Sequence, residues 1–168
     1  MWIFGYGSLM WDGWEASHDC IARTTGDLSG YRRVFNKAST VNWGTAKLPG
    51  PTLNLEQAKL ESCHGIAFEF PEHHRAALMT YLKKREGGFD FECLPVLLPD
   101  QTEVKAIAPI YRGKNLIVGK SIAEIADMAD RASGTSGKCR DYVANIAKKL
   151  KQLGIDDPAV SALANALE

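Results

Sequence analysis

The chain has 168 residues, 45% of them hydrophobic and 24% charged, with 20 lysines and arginines against 20 aspartates and glutamates. That length suits one domain, residues 1–168, able to bury a core without staples. The balanced charge offers no broad basic face to compete for phosphates, which argues against nucleic acid, and no apolar run approaches the roughly 20 residues that span a bilayer.

Residues 1–11 carry no positive stretch ahead of an apolar one, so they do not read as a signal peptide, and a cytoplasmic protein is expected. The cysteines agree. Cys20, Cys63, Cys93 and Cys139 lie far apart and form no CxxC pair, which leaves neither a zinc knuckle nor a thioredoxin-type motif. Free, mostly buried thiols are expected rather than disulfides.

Taken in order, Trp2-Ile3-Phe4 opens a strand that runs into Gly5-Tyr6-Gly7-Ser8, where two glycines so close force a turn. Residues 37–50 read as the longest loop, and Leu53-Asn54-Leu55-Glu56 alternates like a half-buried strand. Another strand covers 65–70, with Ile66, Phe68 and Phe70 on one face. Pro71 suits a helix start because its missing N–H would be unpaired there anyway. The helix spans 72–84, turns Ala76, Leu78, Met79 and Leu82 inward, and ends at Gly87-Gly88. Strands over 92–98 and 103–111 meet at the turn Pro99-Asp100-Gln101-Thr102.

Helices follow. Ser121 and Glu124 form a capping box ahead of Ile122, Ile125 and Ala129. A third helix spaces Val143, Ile146, Ala147, Leu150 and Leu153 along one face. Asp157-Pro158 caps a last one with Val160, Leu163, Ala164 and Leu167 inward. Strands first and helices last predict an α+β fold with a helical C-terminal part.

Three segments could carry chemistry. Glycines in Tyr6-Gly7-Ser8-Leu9 can turn backbone N–H groups toward a carboxylate or an oxyanion, although the same composition also makes a plain turn. Glu86 falls at the C-terminal end of the first helix, where partial negative charge disfavours an anion and should raise its pKa. Followed by two glycines, it suits a general base; equally, it could be a surface residue beside Lys83, Lys84 and Arg85. Gly134-Thr135-Ser136-Gly137 with Tyr142 reads either as a polar loop lining a cleft or as a connection next to a core aromatic.

Other features point nowhere. His73 and His74 are adjacent in a helix and diverge, so they do not share a metal. Ser8 lacks a G-x-S-x-G elbow, and Gly5-Tyr6-Gly7 lacks the third glycine of a dinucleotide fingerprint. Arg32-Arg33 is too short for a nucleic-acid patch and is better suited to pairing with an acidic neighbour. Trp2, Trp11 and Trp14 fit the core.

Together, these segments resemble the ChaC-like γ-glutamylcyclotransferases over nearly the whole chain. The resemblance rests on residues 1–11, on Gly30-Tyr31-Arg32-Arg33-Val34-Phe35 with Ser39 and Pro49-Gly50, and on His64-Gly65-Ile66-Ala67-Phe68. It continues through Tyr81-Leu82 with Arg85-Glu86, and through Gly134-Thr135-Ser136-Gly137-Lys138 with Tyr142. What it implies is a small mixed β-barrel with helices packed around it, no metal and no organic cofactor. Glu86 would be the catalytic acid–base residue, Tyr6, Gly7, Ser8 and Leu9 would bind the γ-glutamyl group, and Tyr142 would contribute from the far side of the pocket. The implied substrate is glutathione, converted to 5-oxoproline and cysteinyl-glycine. Other γ-glutamyl amino acids or γ-glutamyl-amines are alternatives, as is a non-catalytic γ-glutamyl-binding regulatory protein. A monomer is expected, because no coiled-coil seam is evident. Three places depart from the family pattern: the short Gly87-Gly88-Phe89 segment, Thr135 where proline is common, and residues 37–47.

Overall fold

The computed structural model describes residues 1–168, as two compact units, each built from two stretches of chain. One comprises Met1–Arg32 and Leu55–Gly113; the other comprises Arg33–Asn54 and Lys114–Glu168.

The first unit holds the pairings that close a five-stranded barrel in the order β1-β3-β2-β4-β5. β1 (Trp2–Gly5) runs antiparallel to the end of β3 (Gly50–Glu69), with Trp2 opposite Glu69 and Gly5 opposite Ile66. On its other side β1 is parallel to β5 (Glu103–Tyr111), Trp2 facing Ala106. β4 (Phe89–Leu97) forms an antiparallel hairpin with β5 and meets β2 (Ala22–Ser39) where Leu97 faces Asp27. Closure leaves no edge strand for another chain to pair with. Ile3, Phe4, Leu28, Ala67, Phe68, Val96, Ala106 and Ala108 are fully buried and form the core. The expected turn at residues 99–102 is present: the Leu98 N–H donates to Thr102 O at 2.8 Å, and Gln101 takes φ 69°.

α1 (Arg75–Arg85) follows a 3-10 turn at Glu72–His74 and buries Leu78 and Leu82; Ala76, expected inward, is exposed.

The second unit carries the far ends of β2 and β3 with helices α2 (Ile122–Arg131), α3 (Cys139–Gln152) and α4 (Pro158–Ala166). Between α2 and α3 lies a small hairpin of β6 (Ser133–Gly134) and β7 (Gly137–Lys138). The capping box is formed: the Glu124 N–H donates to Ser121 Oγ at 3.3 Å, and the Ser121 N–H to Glu124 Oε2 at 2.9 Å. Lys120 first, then Ser121, hold the Glu124 carboxyl down to about 2. α4 starts as expected, with the Val160 N–H donating to Asp157 Oδ1 at 3.1 Å.

Two features were not expected. Residues 22–39 form one 18-residue strand, and the two strands expected at 53–56 and 65–70 are parts of the single 20-residue β3. The middle of β3 explains the second discrepancy. From Gln57 to Ser62 its side chains are exposed on both faces save for a half-buried Ala58, so no period of two marks the stretch as strand. In β2, Arg33 is fully buried and ion-pairs with Asp157 at 2.9 Å, while Arg32 lies outside and bonds Glu56 and Glu61.

All four cysteines are free thiols; Cys63 and Cys139 are buried, Cys20 half-buried and Cys93 exposed. Burial pushes the Cys139 thiol up to about 12. No helix is long and apolar enough to cross a membrane.

Candidate active site

β1 ends at Gly5, and the chain turns into a short 3-10 helix, Ser8–Met10, entered through Gly7. The Met10 N–H donates to Gly7 O at 3.0 Å, which closes that turn. Tyr6 is buried, and its hydroxyl donates to Pro109 O of β5 at 2.7 Å, so the phenol fastens the turn to the barrel. Gly7 and Ser8 are partly exposed, and Leu9 is buried. The first N–H groups of a helical turn have no carbonyl behind them within the helix.

Trp14 braces the segment from below. Its indole N–H donates to Leu9 O at 3.0 Å, and its ring stacks on Tyr81 of α1, 5.7 Å between centroids and 12° from parallel. The turn at Ser8–Met10 is therefore tied to the barrel at one end and to α1 at the other.

Glu86 caps the C-terminus of α1. Its N–H still donates to Leu82 O at 2.7 Å, but its backbone leaves the helix at φ −101°, ψ 48°. The Phe89 N–H returns to Glu86 O at 3.0 Å, and Gly88 takes φ 87°, a conformation a side chain would strain. Three residues thus lead from α1 straight into β4, which is what the short glycine segment accomplishes. The Glu86 side chain is 15% exposed.

Arg85 links Glu86 to the turn. Its Nε donates to Glu86 Oε1 at 3.3 Å, and its Nη1 lies 2.7 Å from Asp12 Oδ2 and donates to Tyr81 Oη at 3.0 Å. Burial acts to lower the Arg85 pKa, but Tyr81, Asp12 and Glu86 together outweigh it and hold the guanidinium above its ordinary value. Asp12 is oriented in turn by the Trp14 N–H, 3.4 Å from its Oδ1. Asp12 was not singled out from the sequence, and Arg85 was noted there only as the neighbour of Glu86. Their link joins residues 73 positions apart, and only the Arg85-Glu86 adjacency was visible in the chain.

Of the residues expected to act together, Tyr6, Gly7, Ser8, Leu9 and Glu86 all belong to the first unit. Tyr142 belongs to the second, where it is buried on α3, accepts the Leu53 N–H at 3.1 Å and packs on Trp43, 5.1 Å between rings. In that unit the 133–138 hairpin lies against the loop after β2. The N–H groups of Thr135 and Ser136 donate to Val41 O and Asn42 O at 2.9 and 2.8 Å. A Cβ on Gly134 would come within 2.3 Å of Val41 O, so only glycine fits. Thr135 also supplies a donor that proline there would lack.

The whole chain, residues 1–168, matches the family model described as ChaC-like protein. The chain belongs to the ChaC-like family. Among its relatives, "Gamma-glutamylcyclotransferase 2-3" of Arabidopsis thaliana is 36% identical, over 98% of this chain and 87% of that protein. The "Glutathione-specific gamma-glutamylcyclotransferase" of Escherichia coli (strain K12) is 32% identical, over 97% of this chain and 71% of that one. The same fold is seen in a yeast structure described as a γ-glutamyl cyclotransferase specific to glutathione. It superposes with TM-score 0.87 over 99% of this chain and 95% of that one, at 18% identity, and bears out the α+β barrel architecture.

Proposed function

We propose that this protein is a γ-glutamylcyclotransferase that converts glutathione to 5-oxoproline and cysteinyl-glycine, with Glu86 as the acid–base residue. The observation that carries this reading is the placement of Glu86: a mostly buried carboxylate at the end of α1, paired with Arg85, which pairs with Asp12, whose neighbour Trp14 holds the Leu9 carbonyl of the turn. The names of the bacterial relative and of several animal relatives supply the substrate.

The chemistry asks little else of the chain. Glu86 takes a proton from the γ-glutamyl α-ammonium group, freeing its lone pair to attack the γ-carbonyl carbon of the same molecule. The new N–C bond closes a five-membered ring and puts negative charge on the carbonyl oxygen. Backbone donors of the Gly7-Ser8-Leu9 turn hold that oxyanion or the α-carboxylate. The oxyanion collapses, the bond to the cysteinyl nitrogen breaks, Glu86 returns its proton to the departing amine, and the ring nitrogen gives up its second proton to solvent, leaving the neutral lactam. Because the nucleophile is intramolecular, holding the substrate in an attacking conformer supplies much of the acceleration, up to about 7–11 kcal/mol in favourable systems. Tyr142 contributes to substrate binding. The helix C-terminus disfavours the Glu86 anion, and Arg85 favours it; the balance of these fields sets its ionisation.

One observation favours a broader substrate range: the Arabidopsis relatives, 36% and 30% identical, are named as γ-glutamylcyclotransferases without restriction to glutathione. Other γ-glutamyl amino acids are the alternative substrates. The protein acts in the cytoplasm as a monomer in this proposal.

The test is incubation of the purified protein with millimolar-range glutathione, following 5-oxoproline and cysteinyl-glycine by mass spectrometry beside Glu86→Gln. Product from the wild type alone supports the assignment. No product from folded wild type with glutathione moves the assignment to other γ-glutamyl compounds, and a blank across those overturns the enzyme reading.

A further inference from the structure

Gly87 has open space where a Cβ would stand, and the main chain at Glu86 has already left helical geometry. On the helical side, by contrast, stands a fixed cation. The Arg85 side chain is only 18% exposed, and its two ends are engaged at once: Nε on Glu86, Nη1 on Asp12 and Tyr81. Both of these partners are themselves fixed. Asp12 receives the Trp14 N–H, and Tyr81 lies flat against the Trp14 ring, while Trp14 in turn holds the Leu9 carbonyl.

We propose that Arg85, anchored by Asp12, is the positioning residue for Glu86: it aims the carboxylate and fixes its distance from the turn at residues 6–10. The inference rests on the cyclotransferase reading. Lacking contact with the reacting atoms, Arg85 acts through two properties. Its planar fork holds geometry that a lysine ammonium cannot reproduce, and its charge favours the ionised form of the base. Asp12 tempers the second effect by drawing the same charge toward itself. Removing Arg85 should therefore make Glu86 harder to ionise, and neutralising Asp12 should make it easier. Opposite shifts from two partners of one ion pair are not expected of a pair that serves only stability.

The groups facing this pair are Asp12 from the turn, Tyr81 from α1, His18 from the 3-10 helix at Trp14–His18, whose ring lies 4.5 Å from that of Tyr81, and Tyr111 of β5 beside Gly88. Because the His18 ring packs on Tyr81, the profiles are also run in a His18→Gln background.

The experiment measures kcat and KM against pH for the wild type, Arg85→Met, Arg85→Lys and Asp12→Asn. For Arg85→Met, kcat should fall by about 10-fold or more with KM changed less, and the acidic limb should move up by roughly one pH unit. Arg85→Lys should restore the limb but not kcat, and Asp12→Asn should move the limb down. A lowered melting temperature with unshifted limbs in both charge-removing variants overturns the proposal, as does full recovery of kcat by lysine. Should Arg85→Met not fold, Asp12→Asn decides alone by the direction of its shift; an unmoved or upward limb refutes the proposal. Failure of the underlying reading looks different: the wild type itself then yields no product, or Glu86→Gln stays active.

Discussion

Arg33 and Arg85 are both held by an aspartate, and they differ in what surrounds them. The Arg33 side chain is 0% exposed and its partner Asp157 is 12% exposed, whereas Arg85 and Asp12 are 18% and 39% exposed. A guanidinium with no access to water persists in a folded unit only because a counter-charge came in with it; removing the aspartate leaves a buried charge with less compensation. At the half-wet Asp12–Arg85 pair water screens what is lost, so little stability depends on the aspartate. What depends on it is the neighbouring Glu86. The same ion pair thus serves cohesion where it is dry and aim where it is wet.

The comparison can be broken in several ways. The largest effect expected is in rate: Glu86→Gln should cut turnover of glutathione by about 100-fold or more while leaving the thermal melt nearly unchanged. A collapse of the melt would put Glu86 on the cohesive side instead. Next comes Asp157→Asn, which keeps a good helix cap but removes the charge facing Arg33; denaturant unfolding should show a loss of about 3 kcal/mol. A loss near that at Asp12→Asn, or none at Asp157→Asn, would erase the distinction. Tyr142→Phe removes the acceptor of the buried Leu53 N–H and should cost about 1–3 kcal/mol in the same assay. The smallest effect concerns acid. The Glu124 carboxyl is depressed to about 2, so the stability its capping box contributes is complete above the ordinary value of 4.5 and lost as pH falls through 2. Glu124→Gln should show a flatter decline of melting temperature over that window than the wild type.

How much of this could be read from the sequence follows from the range of the interactions. The β4–β5 hairpin, the Ser121–Glu124 box and the Asp157 cap involve residues within a few positions of one another, and each was where its local pattern put it. β2 was not legible. Its Arg33 looks like a surface residue until Asp157 arrives from 124 positions away, and Arg32, Asn36 and Lys37 blur any alternation. The site divides in the same way. Glu86 stood out as a candidate because a carboxylate at a helix end before two glycines is locally odd, and it does cap the C-terminus of α1. Asp12 could not, since nothing in Trp11-Asp12-Gly13-Trp14 announces an arginine 73 residues on. Tyr6 was partly legible: its place in the turn was evident, but not that its hydroxyl is spent on Pro109.

The parallel pairing of β1 with β5 has a consequence for how the molecule comes into being. Trp2 and Ile3 meet Ala106 and Ile107, so the strand made first must wait for the last one of the barrel. On the ribosome, more than a hundred residues emerge before the ring can close, and until then β1 offers an unpaired edge to any passing chain. Such long-range closure also predicts slow folding for the protein's size. Nascent chains stalled before residue 103 should therefore be the form that sticks to chaperones, and release should come only once β5 is free to fold.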